Sequence, residues 1–173
     1  MAADQHPPVV VVMGVSGSGK TTVGGLLADR LGVPYAEADD FHPPANIAKM
    51  SAGVPLDDED RRPWLDAIAA WARDRGSRGG VVSCSALARR YRDRLRENAP
   101  GLFFLHLDGD FDLIAGRVAR REGHFMPPSL LRSQFDALEP LGADERGAVV
   151  GVEGDAGEVT DRALAALPAP SGS

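Results

Sequence analysis

The sequence predicts a three-layer α/β fold with a five-stranded parallel sheet, and three observations predict it. Five short, apolar, often β-branched runs recur along the chain, helical patterns separate them, and a glycine-rich loop joins the first run to the first helix. The runs are "VVVVM" (Val9 to Met13), "VPYAEA" (Val33 to Ala38), "VVSC" (Val81 to Cys84), "LFFLHL" (Leu102 to Leu107) and "AVVGVE" (Ala148 to Glu153). Strands covered by helices on both faces read in this way, as near-continuous apolar stretches.

The helices follow from spacing. Val23, Leu26, Leu27 and Leu31 make one apolar face, and Gly32 stops it. "PPANIAKM" predicts a short helix started by its proline pair. Pro63 suits the first turn of the next helix, where Trp64, Ile68 and Trp71 follow at helical spacing, both tryptophans being read as core. Leu87, Tyr91 and Leu95 recur every four residues after the third strand. Two further helices, Asp110 to Arg121 and Ser129 to Leu138, flank "REGHFMPP", whose glycine and prolines break any single helix.

Composition narrows the function. A chain of 173 residues, 43% hydrophobic, suits one domain over 1–173, with Pro/Ser/Gly-type frayed tails at 1–7 and 168–173. Nineteen basic against 25 acidic residues give a net charge of −6 with no basic block, which argues against nucleic acid or an anionic membrane as partner. No apolar run approaches the ~20 residues that span a bilayer, and "MAADQHPP" lacks a basic segment followed by an apolar one. One cysteine, Cys84, excludes an intrachain disulfide and reads as a buried thiol. The expected location is cytoplasmic.

"GVSGSGKT", Gly14 to Thr21, lies between a strand and an amphipathic helix, the context that the phosphate-loop pattern requires. Its glycines let the backbone wrap a polyphosphate, so Gly14, Val15, Ser16, Gly17, Ser18, Gly19, Lys20, Thr21 and Thr22 form the expected nucleotide cradle. Lys20 is expected to reach the β and γ phosphates, and the Thr21 hydroxyl to ligate Mg²⁺. The bland reading of the same stretch is a glycine-rich turn capping a helix. Of the 19 basic residues only Lys20 and Lys49 are lysines, so a compact ammonium is singled out at Lys20. Neither an "NKxD" guanine-reading motif nor an "LSGGQ" signature is present, which leaves a small-molecule kinase as the leading idea.

Ligands of an open parallel sheet sit beyond the carboxyl ends of its strands, which directs attention to "ADDFHPP". Asp39 is placed to take the proton of an acceptor hydroxyl, Asp40 to cap the following helix, and His42 to contact substrate or pack behind it. Asp57 to Asp60 are assigned no chemistry, because four acids suit a helix N-terminus and its dipole, while Arg61 is a candidate for an anionic acceptor. Among the arginines of "ALARRYRDRLRE", Arg92 is the one chosen for substrate. Arg117, Arg120 and Arg121 precede the broken segment and are candidates for nucleotide contact (Arg117) and for charge on the transferring phosphoryl group (Arg120, Arg121), with helix-dipole compensation as the alternative.

Together, "MGVSGSGKTT", "DDFHPPANIAKMSAGVPLDDEDRRPWL", "CSALARRYRDRLR", "LDGDFDLIAGRVARREGHFMPPSLLRSQFDALEP" and "ADE" resemble the gluconate kinases, phosphate-loop enzymes related to shikimate kinases. The resemblance runs over most of the chain. It implies a P-loop nucleoside triphosphate hydrolase-type fold with a mobile lid around 120–130, and transfer from ATP to D-gluconate with Mg²⁺, giving 6-phospho-D-gluconate. It also implies a homodimer. Carried onto this chain, it puts the acceptor-side Asp at Asp39, the His-Pro at His42, the "DRxPWL" arginine at Arg61, the "YRDxLR" arginine at Arg92, the lid "GHF" around His124 and the "SQF" around Gln134. Arg61, Arg92, His42, His124 and Gln134 are thus the expected gluconate contacts. Two departures stand out: Ala38 where relatives often have Gly, which implies a stiffer approach to Asp39, and Leu141 in place of a more usual second proline.

Two rival kinases are disfavoured by motifs. A shikimate kinase would carry a glycine triplet where this chain has "SCSA", and an adenylate-type kinase a "DG[FY]PR" motif. A nucleotide-dependent switch without phosphoryl transfer stays open on the phosphate loop alone; Asp39 and the arginines near the lid argue against it.

Overall fold

β1 (Val9–Met13) is the middle of the sheet, and its composition says why. All five of its residues are buried. Val10 and Val12 join one apolar cluster, Val9, Val11 and Met13 another, because successive side chains of a strand point to opposite faces. The structure, a computed structural model, describes residues 8–120 and 128–168. Around β1 stand β2 (Tyr35–Glu37), β3 (Gly80–Ser83), β4 (Phe103–Asp108) and β5 (Gly147–Gly151), in the order β2-β3-β1-β4-β5, every pair parallel. Val11 pairs with Val82 on one side and Phe104 on the other.

Helices cover both faces. α1 (Lys20–Leu31), with Val23, Leu27 and Ala28, packs with α7 (Ala156–Ala166), through Val159 and Ala163, on the face of Val10 and Val12. Ile114 and Val118 of α5 (Phe111–Arg120) and Leu131 of α6 (Pro128–Ala137) complete that layer. The opposite face takes Trp64, Leu65 and Ile68 of α3 (Asp58–Arg75) and Leu95 of α4 (Arg89–Asn98). The short α2 (Pro44–Ser51) lies outside both layers, begun by the predicted proline pair.

Most predicted elements recur with shifted ends, and the shifts have causes. α1 stops at Gly32 as expected, with φ +69° at that residue and its N–H given to the carbonyls of Ala28 and Asp29. α3 begins five residues before the expected Pro63. Asp57 accepts from the Asp60 N–H while Asp60 accepts from the Asp57 N–H, a reciprocal cap that starts the helix at Asp58 and puts Pro63 inside it. The second strand keeps only Tyr35 to Glu37, since Ala38–Phe41 winds into a 3-10 turn whose first carbonyl takes the Trp64 indole N–H at 2.7 Å. α6 already begins at Pro128, so 128–130 belong to a helix; the rest of the expected lid, 121–127, and the tail residues 1–7 and 169–173 lie outside the described residues.

Candidate active site

All strands end on one side, and there the loop after β1 meets the turn after β2. Lys20 and Thr21 of the loop and α1, Glu37 at the end of β2 with Asp39 beyond it, and Ser83 at the end of β3 with Ser85 beyond it line one cavity of about 350 Å³. A second cavity, of about 380 Å³, shares Trp64, Cys84 and Ser85 with it and extends to Arg61, Arg90 and Tyr91. The two cavities are thus neighbours in one cleft, the first lined by the glycine-rich loop and the second carrying two guanidinium groups.

The phosphate loop has the shape its glycines predict. Gly17 sits at φ +84°, and a Cβ added there would overlap Val118 Cγ2 of α5 and stand 3.3 Å from Ile114 Cγ2. Gly17→Ala therefore meets a left-handed backbone penalty of ~1–2 kcal/mol as well as the collision. We expect it to weaken nucleotide binding about tenfold or more, read by fluorescence titration. Lys20 folds back into the loop, its Nζ donating to the carbonyls of Gly14 (2.9 Å) and Val15 (3.0 Å). Burial pushes its ammonium below the ordinary lysine value, opposed by the negative charge of Asp39 and Glu37. The amides of the first turn of α1 have no acceptor within the helix, so they too point toward an incoming anion. Thr21 and Thr22 are exposed on that turn.

Asp39 stands on the 3-10 turn, exposed toward the cavity, behind the buried Ala38. Ala38 has no left-handed backbone, so its conformation does not require a glycine there. His42 stacks on Trp64 with ring centroids 4.5 Å apart and planes 10° from parallel. The buried Asn46 gives its amide N–H to the Asp60 carbonyl at 2.8 Å and lies 3.2 Å from His42 Nδ1. An amide nitrogen only donates, so Nδ1 accepts and Nε2 carries the proton. Burial also pushes the His42 pKa down, which makes the neutral Nε2–H form the one present at pH 7. The Cys84 thiol, pushed up to about 12 by burial, is neutral and buried as expected, although it also lines the cleft.

Arg61 is on the cleft. It lines the second cavity, donates from Nη1 to the Tyr91 hydroxyl at 2.9 Å and lies 3.7 Å from Asp58. Arg92 is not. Its side chain is fully buried, paired with Glu145 through Nε (2.8 Å) and Nη2 (3.0 Å), and its remaining donors go to the carbonyls of Ala86, Leu87, Glu139 and Pro140. No donor is left for a ligand. Arg92 instead shapes the loop after β3, in which Ala86 has φ +45°, a conformation that costs a non-glycine residue about 1 kcal/mol or more. The arginine of α4 that reaches the cavity is Arg90, anchored to Asp58.

Gln134 also departs from expectation, since it holds Ser16 of the phosphate loop and lines neither cavity. Arg117 donates to the Gly154 carbonyl at 3.0 Å, in the turn between β5 and α7. Arg120 ends α5, while Arg121 and His124 lie outside the described residues. Sequence reasoning missed three residues. Glu37 reads as part of a strand, Ser85 directly follows the run that ends at Cys84, and Trp64 reads as core alone; the strand-end rule signals the first two, and nothing in the spacing signals the third.

Among the described residues no cluster of three His, Cys, Asp or Glu side chains is arranged to hold a metal. The cleft offers hard oxygens instead: the Thr21 hydroxyl beside the carboxylates of Glu37 and Asp39. That donor set fits a Mg²⁺ ion that keeps waters and phosphate oxygens as its other ligands.

Comparison with known proteins agrees with this geometry. The shikimate kinase family model matches residues 16–141. The thermosensitive gluconokinase of Escherichia coli is 46% identical over 160 residues, which is 91% of this chain and 86% of that protein. The gluconokinase of Gluconobacter oxydans is 50% identical over 151 residues, 86% of this chain and 84% of that one. A crystal structure of a gluconokinase from Sinorhizobium meliloti superposes with a TM-score of 0.83 at 48% identity, over 94% of this chain and 92% of that chain. High identity to gluconokinases over most of the length, with "SCSA" in place of a glycine triplet, decides between the two names. The chain belongs to the gluconokinase family, within the shikimate kinase-like phosphate-loop kinases.

Proposed function

We propose that the gluconokinase reaction of this chain runs across these two neighbouring cavities, with ATP phosphates in the loop of Gly14 to Thr21 and D-gluconate between Asp39 and Arg61. The observation that carries this reading is the shared wall: Trp64, Cys84 and Ser85 line both cavities, so the cavity lined by Lys20 and the cavity that carries the two guanidinium groups are immediate neighbours. Gluconate is an anionic polyol. Its carboxylate suits Arg61 and Arg90, its middle hydroxyls suit Ser85 and Tyr91, and its terminal hydroxyl lies toward Asp39, while His42, which lines neither cavity, supports the Trp64 wall by stacking on it.

In the transfer, the terminal hydroxyl oxygen forms its bond to the γ phosphorus as the bond from that phosphorus to the β–γ bridging oxygen breaks. Asp39 takes the hydroxyl proton, and 6-phospho-D-gluconate and ADP leave. Lys20 holds negative charge on the transferring phosphoryl group, and the first-turn amides of α1 hold the β phosphate. Mg²⁺, held through Thr21, neutralises phosphate charge when bound. Arg120 and Arg121 are candidates for the remaining charge and His124 for a further gluconate contact. Arg120 ends α5, the helix that packs on the loop at Gly17, and Arg121 and His124 follow it in sequence, which supports them. Arg117 is a candidate for the nucleotide end. A cytoplasmic homodimer is the assembly that the family resemblance carries, and light scattering on the purified protein checks the dimer.

The direct test is ADP release with ATP and Mg²⁺ against gluconate, shikimate, other sugar acids and nucleoside monophosphates. Gluconate alone should give full turnover; release that needs no acceptor, or that prefers shikimate, overturns the reading. Lys20→Ala is expected to lower kcat about 10²-fold or more in the same assay, since its ammonium acts on charge that grows in the transition state.

A further inference from the structure

Gln134 grips Ser16 by both ends of its carboxamide. Its Oε1 accepts from the Ser16 backbone N–H at 2.7 Å, and its Nε2 donates to Ser16 Oγ at 3.0 Å. One turn further along α6, Ala137 lines the second cavity. Just beyond, the Glu139 N–H donates to the Leu87 carbonyl at 2.8 Å, and Glu139 Oε2 accepts from the Arg89 N–H at 3.1 Å. Leu87 lines that same cavity. A single helix is therefore fastened to the phosphate loop at one point and, a turn later, to the wall around the proposed acceptor.

Residues three apart share a face of a helix, and the hydrogen-bonded turn between Gln134 and Ala137 moves as one piece. α6 is docked on α5 largely through side chains, with Leu131 buried and Phe135 meeting Phe111 edge-on at 5.7 Å, a packing that tolerates small sliding. Its polar attachment to the phosphate loop is Gln134. Polyphosphate fixes that loop, because the loop's amides close on the anion. With the loop fixed, Ser16, Gln134 and the wall at Ala137 and Leu87 are fixed too, and an arriving acceptor meets a cavity whose ordering has already been done.

We propose that Gln134 is a positioning residue that couples the two substrates, so that ATP in the phosphate loop tightens gluconate binding through α6. The coupling rests on gluconate occupying the cavity assigned to it above. Isothermal titration of gluconate, with and without a non-hydrolysable ATP analogue and Mg²⁺, tests it. The parent protein should bind gluconate about tenfold tighter with the analogue present, within the usual range of coupling between sites. In Gln134→Ala the ratio should fall to within about twofold. Gln134→Met, which keeps the length and packing but neither hydrogen bond, should behave the same way. A structural role alone would weaken both titrations and leave the ratio intact.

A parent ratio of one, or either variant with the parent ratio, overturns the proposal. The placement of gluconate is read separately, since Arg61→Ala with unchanged gluconate affinity would remove the acceptor from that cavity without touching the measured ratio. Circular dichroism of each variant shows that the fold is retained.

Discussion

Asp39→Asn is expected to lower kcat with gluconate by about 10²–10⁴-fold while ATP affinity stays within a few-fold of the parent, as loss of a positioned general base does. The substitution keeps the shape of the side chain and the 3-10 turn that carries it, Ala38–Phe41, whose first carbonyl is held by Trp64. What it removes is the ability to take a proton, together with one negative charge. That charge raises the pKa of both Lys20 and His42, so its removal favours a neutral lysine and a neutral histidine. The measurement is ADP release under saturating gluconate, paired with nucleotide titration. Near-normal turnover would move the base elsewhere, and Glu37, which lines the same cavity, would be the next residue to change.

What the sequence made legible is local. "VVVVM" reads as a strand covered on both faces and stands as one, and "GVSGSGKT" between a strand and a helix reads as a phosphate loop, in keeping with the family to which the chain belongs. The strand-end rule led to Asp39, and the charged run at the start of α3 to Arg61, without any knowledge of contacts, and the structure puts both on the cleft. The start of α3 was also legible and was misread. Asp57 and Asp60 have capping-box spacing, but Pro63, which is common in first turns, drew the start five residues too late. Arg92 and Gln134 were not legible at all. Each is decided by a partner far along the chain, Glu145 at a separation of 53 residues and Ser16 at 118, and helical spacing says nothing about which buried acceptor an arginine will meet.

Glu145→Ala should be strongly destabilising, by about 3–5 kcal/mol, because it strips the partner from a buried arginine. The pair with Arg92 is wholly enclosed, Glu145 also accepts from Arg96 at 2.8 Å and from the Gly142 N–H at 2.8 Å, and Arg96 Nη1 already has no partner among the described residues. Removing Glu145 thus leaves two guanidinium groups short of acceptors in the interior. Burial alone would raise the Glu145 pKa, but the hydrogen bonds from Arg92, Gly142 and Arg96 and the charge of Arg92 outweigh it and hold the carboxyl at about 2. A carboxyl held below its unfolded value of about 4.3 stabilises the fold above that pH and loses the contribution as pH falls toward about 2. Parent and variant should therefore differ most at neutral pH and converge in acid, a trend that urea unfolding midpoints from pH 7 to pH 3 would show. The same substitution should raise the KM for gluconate more than that for ATP, since Arg92 is what holds the Ala86 and Leu87 carbonyls in the acceptor wall. Equal midpoints for parent and variant at pH 7 would mean that this buried cluster contributes no net stability and that the loop after β3 is held by its packing alone.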